Sequence, residues 1–224
     1  VKHLLILLSS ASIALAGNES PFNGKDLGNW ELKNKAAATW QVGEAAMSTQ
    51  NPKQLELKAG GSSMANMVAG HGKGSDISSK DKYGDVRIEL EVMVPKGSNS
   101  GIYVMGEYEV QVFDSHGVAK PGPGDMGAIY GANVPKVNAS KAPGEWQKYV
   151  IEWRAPKFDD KGAKTAKAVF VKVELNGTVL HENVEMKGPT PGGLTGKEAA
   201  TGPIMFQGDH GPVAYRNIKV TPLK

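Results

Sequence analysis

The 224-residue sequence contains no cysteine. That absence excludes disulfide bonds, thiolate metal sites and a lipid-modified cysteine behind a leader. An excess of one charge sign is also missing. Lys and Arg number 26 against 23 Asp and Glu, a formal net charge of +3, and no basic block or aromatic-interleaved basic stripe occurs. Nucleic acid is therefore not an expected partner. Aromatic residues make up only 7% of the chain, few for a broad sugar-stacking platform. No stretch of about ten or more residues keeps a helical period. There is no Gly-rich phosphate loop, no G-x-S-x-G elbow and no H-E-x-x-H. His71, His116 and His181 lack metal-ligand spacing relative to one another, and no organic cofactor is expected.

Long apolar runs are absent apart from the N-terminal stretch KHLLILLSSASIALAG. Its apolar core is too short to span a bilayer. A basic start, this core and the small-x-small run Ala14-Leu15-Ala16 read as a signal peptide over residues 1–16, cleaved after Ala16. The expected location is secreted or periplasmic, without membrane insertion after cleavage. Residues 17–224 are expected to form one domain.

What the sequence does contain is turns: 28 Gly and 13 Pro. Between them lie short alternating segments. Val86, Ile88, Leu90, Val92 and Val94 alternate with Arg87, Glu89, Glu91 and Met93, the clearest strand in the chain. Trp40–Val42, Ala46–Thr49, Gln54–Leu57, Gly101–Met105, Tyr108–Phe113, Trp146–Arg154, Ile204–Gln207 and Tyr215–Val220 are further strand candidates. Ala168–Leu175 and Thr178–His181 flank Asn176-Gly177, a hairpin turn pair. Residues 60–79 read as loop with one weak strand, 157–164 as a charged turn, and 117–141 and 188–201 as long loops. Loops of that length inside a domain carry function or move. Short strands with frequent turns predict an all-β, two-sheet antiparallel jelly-roll sandwich.

The segment YEVQVFD at 108–114 is the chemical focus. Residues two apart in a strand share a face, so Glu109 and Gln111 stand together while Val110 and Val112 face a core. Polar-out alternation is also what a half-exposed strand shows. Gln207, Asp209 and His210 form a second polar cluster, and Arg216 with Asn217 a third. A jelly roll can bring all three to one concave face. Glu109 with Asp114 is the candidate carboxylate pair of a retaining glycosidase, which needs about 5–5.5 Å between them. Their odd spacing requires a bulge. The string E-V-Q-V-F-D resembles the E-x-D-x-x-E strand of laminarinase-like glycoside hydrolases, but Gln111 replaces the middle acid and the shorter Asp114 the last.

Several strings together resemble the 3-keto-disaccharide hydrolase family of exported bacterial proteins. They are FNGKDLGNW at 22–30, NSGIYV at 99–104, YEVQVFD at 108–114, GAIYG at 127–131, GEWQKYVIEW at 144–153, LNG at 175–177 and GPIMFQGDHGPVAYRNIKV at 202–220. They fall in the family's order and cover essentially the whole chain after the leader, although residues 31–80 carry no matching string. The resemblance implies a concanavalin-like jelly roll and a carbohydrate partner, a glycoside with a ketone at ring carbon 3. Such a ketone acidifies the C2 proton. A base removes it, an enolate forms, and the aglycone leaves C1. This chemistry needs one base and an enolate stabiliser rather than two spaced carboxylates. The resemblance assigns Glu109 or His210 as base, and Arg216 or Gln207 to the enolate oxygen, with a divalent cation as an additional stabiliser. It assigns Gln111, Asp114, Asp209 and Asn217 to substrate positioning, and Tyr130 or Trp146 to a ring-stacking face. The alternatives are ordinary retaining hydrolysis and a non-catalytic carbohydrate-binding module.

Overall fold

The computed structural model describes residues 19–68 and 70–223. The expected leader, residues 1–16, lies outside the described residues. Chain order is β1 (Trp30–Leu32), β2 (Trp40–Met47), β3 (Leu55–Asn66), β4 (Ile77–Ser79), β5 (Val86–Met93), β6 (Asn99–Val104), β7 (Tyr108–Phe113), β8 (Gln147–Arg154), β9 (Lys157–Phe158), β10 (Lys164–Ala166), β11 (Val169–Leu175), β12 (Thr178–Glu185), β13 (Met205–Phe206) and β14 (Val213–Pro222). Two antiparallel sheets carry the fold. One runs β1-β4-β13-β6-β7 and the other β12-β11-β8-β5-β14-β3-β2. Strands β9 and β10 form a small separate hairpin. There is no helix among the described residues, and hence none long and apolar enough to cross a membrane. The two-sheet antiparallel sandwich expected from the turn-punctuated alternation is what forms.

Alternation decides which residues enter the space between the sheets. Val86, Ile88, Leu90 and Val92 of β5 are buried there, alongside Tyr149, Ile151 and Trp153 of β8. From the other sheet come Ile102 and Val104 of β6 and Tyr108, Val110 and Val112 of β7. Fully burying each such side chain contributes about 1.5–3 kcal/mol. Aromatic contacts bridge the sheets: the Tyr108 and Trp153 rings lie 4.5 Å apart, and Phe206 stacks on Tyr215 at 3.9 Å.

The structure departs from the sequence reading where glycine interrupts a strand without ending it. Trp40–Val42 and the first half of Ala46–Thr49 belong to one strand, β2, which continues through Gly43 with a register shift against β3 and ends at Met47. Strand β3 continues through Gly60 and Gly61, both at φ +82°. Only glycine adopts that conformation cheaply, so the pair bulges outward and pairing resumes at Ser63. The expected loop at 60–79 thus contains the end of β3 and all of β4. The charged turn at 157–164 contains β9 and opens β10.

Candidate functional site

Hairpin register builds the site. Across the β6–β7 turn, Tyr103 pairs with Glu109 and Gly101 with Gln111. Directly paired residues in antiparallel strands point to the same face. Val110 and Ile102 face the core, so Glu109, Tyr103 and Gln111 face outward from the five-stranded sheet. Strand β13 joins the other side of β6, and Gln207 N donates to Gly101 O at 3.0 Å.

Loops then roof this outer face. The segment around Tyr130 runs along the free edge of β7: Gln111 N donates to Ala128 O at 2.8 Å and Tyr130 N to Glu109 O at 3.1 Å. On the other flank Glu109 N donates to Thr190 Oγ1 at 2.9 Å. The 190–196 stretch is held in turn by buried Glu107, whose carboxylate accepts from Thr195 N, Thr195 Oγ1 and Gly196 N at 2.7–2.9 Å. Glu109 is consequently only 2% exposed, which sets aside the half-exposed-strand reading.

The result is a pocket of about 230 Å³ lined by Asn99, Tyr103, Glu109, Gln111, Tyr130, Pro191, Gly192, Gln207 and His210. Glu109 is its one lining carboxylate. Burial is the main force pushing the Glu109 carboxyl up, to about 7, and the negative charges of Asp76 and Asp209 push the same way. A hydrogen bond from Tyr103 opposes the shift. Burial first, then the Glu109 charge, holds the Tyr103 phenol well above its usual value, so it remains a donor. The Tyr103 hydroxyl lies 3.3 Å from Pro191 O and 3.5 Å from Gln207 Nε2.

His210 projects from the turn after β13. Its Nδ1 is 2.5 Å from Asp209 Oδ1, and its ring packs edge-on against His71 at 4.2 Å. A carboxylate on Nδ1 orients the imidazole and leaves Nε2 for proton exchange. The turn itself is pinned by Asn66, whose Nδ2 donates to Gly208 O and Gly211 O at 2.8 Å. Gln207 is almost fully buried, and its Oε1 has no hydrogen-bond partner. An orphaned buried acceptor costs about 1–3 kcal/mol, which a hydroxyl donor entering the pocket would recover.

The structure thus brings together Glu109, Gln111, Tyr130, Gln207 and His210, with Asp209 behind the imidazole. Other expected members lie elsewhere. Arg216 belongs to the far side of the molecule: its neighbour Tyr215 points into the core, so strand alternation turns Arg216 outward from the seven-stranded sheet. There Arg216 Nε binds Glu91 Oε2 at 2.6 Å and the guanidinium covers the Trp146 ring at 4.0 Å. Asn217 Nδ2 donates to the same Glu91 oxygen at 3.0 Å. Arg216, Asn217 and Trp146 are therefore separated from Glu109 by the whole sandwich. Asp114 does not line the pocket either. It accepts from Gly97 N at 2.8 Å and His116 N at 3.3 Å, so the Glu109–Asp114 glycosidase pair is not assembled. Tyr103 and Asn99 were missed. The signal was available: pairing residues symmetrically about the turn at Gly106 places Tyr103 opposite Glu109.

Among the described residues no three His, Asp or Glu side chains stand together as a metal-holding group. The donor set therefore does not fit the divalent cation expected above, and no step below runs through one.

The family and the solved structure that this jelly-roll sandwich matches put it in the class of carbohydrate-active proteins. The chain belongs to the 3-keto-alpha-glucoside-1,2-lyase-like domain family, whose profile matches residues 17–221. Among solved structures it is similar to a candidate glycosyl hydrolase of Parabacteroides distasonis at 31% identity and TM-score 0.70, covering 90% of this chain and 82% of that one. A second candidate glycosyl hydrolase of the same organism shares the fold at 19% identity and TM-score 0.58, covering 91% and 92% of the two chains. The search of curated proteins returned no match.

Proposed function

We propose that this protein cleaves glycosides bearing a ketone at C3, by removing the C2 proton and expelling the aglycone from C1. The observation that carries the reading is a single buried carboxylate that lines one pocket with a carboxylate-held imidazole. Glu109, with its carboxyl pushed up to about 7, is matched to proton abstraction near neutral pH. It takes the C2 proton, and the C2–H electron pair moves into the C2–C3 bond as charge gathers on the C3 oxygen. The Tyr103 hydroxyl and Gln207 Nε2 are the neutral donors beside it and hold that oxygen, the role the sequence reading gave to Arg216 or Gln207. Fixed donors aimed at developing charge in a water-poor pocket stabilise it more than water does. The C1–O bond then breaks with formation of the C1–C2 double bond, and His210 Nε2 delivers a proton to the departing oxygen. Gln207 Oε1 and Asn99 receive ring hydroxyls. One lining carboxylate disfavours the two-carboxylate retaining mechanism.

The test incubates the purified protein with a 3-keto-glucoside and with its unoxidised parent, in deuterated water. Release from the keto compound alone, with deuterium entering C2 of recovered substrate or a 1,2-unsaturated 3-keto product, supports elimination. Release from the parent as well would replace this reading with ordinary hydrolysis. Binding without release would make the protein a carbohydrate-binding module.

A further inference from the structure

Glu107 stands in the turn between β6 and β7, two positions before Glu109, and is only 5% exposed. Both of its carboxylate oxygens accept from neutral donors of Thr195 and Gly196, which is the bonding of the ionised form. The reaction proposed above gives this buried anion no task. Resting on the reading of Glu109 as the base, we infer that Glu107 is a positioning residue: its carboxylate straps the 190–196 segment onto the β6–β7 turn and keeps the pocket wall closed beside Glu109.

The strap is tied at both ends. At its start, Thr190 N and Thr190 Oγ1 donate to Glu107 O at 2.9 and 3.1 Å. The same Thr190 hydroxyl accepts from Glu109 N, so strap and base share an anchor. Towards its end, Leu194 N donates to Gly106 O at 2.8 Å, and the Glu107 carboxylate takes Thr195 and Gly196. Pro191 and Gly192, which line the pocket, lie between these ties, and a segment fixed on both sides cannot lift its middle. The fit is also close. A Cβ built at Gly193 would collide with Glu107 Oε2, and one at Gly192 would stand 2.6 Å from the Tyr103 hydroxyl. The main chain of the strap therefore lies directly on Glu107 and on Tyr103, the phenol that donates to Glu109. Hydrogen bonds to an ionised acceptor are roughly twice as strong as neutral ones, and a buried carboxylate deprived of them is costly. Water entering under a lifted strap would relieve the burial that is the main force raising the Glu109 carboxyl. The groups that face Glu109 from other elements are Tyr103 on β6, Asp76 ahead of β4, Asp209 and His210 after β13, and the Tyr215 phenol of β14. Glu107 is not among the charges that push it. Removing Glu107 thus reaches Glu109 through water and packing rather than through charge.

Glu107→Gln keeps the shape of the side chain but sets an amide donor against one of the donors of the strap. The Glu109 carboxyl is followed by carbon NMR titration, its signal assigned by its loss in Glu109→Gln. The parent is expected to titrate at about 7. In Glu107→Gln the midpoint should fall by at least about one pH unit, and the acid limb of kcat/KM on a 3-keto-glucoside should move to lower pH with it. Thr195→Val removes one of the three donors and should move the midpoint the same way by less; it decides the matter if Glu107→Gln does not fold. Tyr108→Phe cuts a different tie between the hairpin and the chain beyond the strap, the bond to Glu198 Oε1 at 2.7 Å, and should leave the midpoint where it is. An unmoved midpoint in the folded variants, or an equal fall in Tyr108→Phe, overturns the inference. The titration reads the pocket whether or not a sugar is cleaved. If the parent cleaves no 3-keto-glucoside, a fall in the midpoint still supports the strap, and the elimination reading alone is lost.

Discussion

The Glu109 carboxylate occupies the space that a side chain at Gly101 would fill. A Cβ built at Gly101 would collide with Glu109 Oε1 and stand 2.9 Å from its Cδ. The two residues belong to adjacent strands, on the same outward face. The missing side chain lets the carboxylate lie down across β6, under the loops, beside Tyr103.

Gly101→Ala therefore displaces the carboxylate more than it disturbs the core, because the colliding atoms are the end of a side chain. A misplacement of about 1 Å can cost on the order of a hundredfold in rate. The expected outcome is a kcat on a 3-keto-glucoside lowered by about that factor, with a melting temperature close to the parent's. Steady-state kinetics and a thermal melt decide it; unchanged kcat would show that the position of the carboxylate is not critical.

Glu109→Gln removes the proposed base while keeping its shape. Turnover is expected to fall by about 10²–10⁴-fold. In the parent protein the carboxylate form does the work, so kcat/KM should decline as pH falls below about 7, the value to which the group is pushed. Stability should move the other way. The folded state holds this proton more tightly than the unfolded state, so the proton's stabilising contribution is complete below about pH 4.5 and is lost as pH rises through about 7. The shift from 4.5 corresponds to at most about 3 kcal/mol. Glu109→Gln, permanently neutral, should thus be more stable than the parent at pH 8 and nearly equal to it at pH 4, as read by denaturant titration at the two values.

Asp209→Asn and His210→Asn test the imidazole as proton donor to the departing oxygen. Losses of about 10²–10⁴-fold are expected for an alkyl leaving group with His210→Asn, and smaller losses with Asp209→Asn. A nitrophenyl leaving group needs little protonation, so its release should fall much less. Equal losses for both leaving groups would remove His210 from that role.

Arg216→Met tests the placement of the third polar cluster. Losing the contact with Trp146 and the pair with Glu91, both partly exposed, should cost about 1 kcal/mol of stability. Because the sandwich separates Arg216 from the pocket, kcat/KM should stay within about twofold of the parent's. A large kinetic loss without unfolding would contradict that separation.

How much of this was legible beforehand differs by element. The central strand β5 and the turn-flanked pair β11 and β12 were plain, because period-two burial and Asn176-Gly177 are local signals. The β2–β3 pair was not, because Gly43, Gly60 and Gly61 look like breakers in sequence and serve as bulges once a partner strand lies alongside. In the site, Glu109, Gln111, Gln207 and His210 were marked by local strings. Tyr103 required the hairpin register. Tyr130 gained its place by hydrogen bonds to the edge of β7, from within a loop without periodicity.

The sequence by itself determined the all-β sandwich and the facing of each clear strand, since alternation and turn chemistry act between near neighbours. It also determined which strings carry polar side chains. It left open which of those strings meet. The tertiary structure alone decided that Glu109 lies beneath loops with His210 at hand, and that Arg216, only six positions beyond His210, lies on the opposite face. The physical reason is that a strand presents successive side chains to opposite sides, while the sheet that receives the strand is chosen by pairings between residues far apart in the chain.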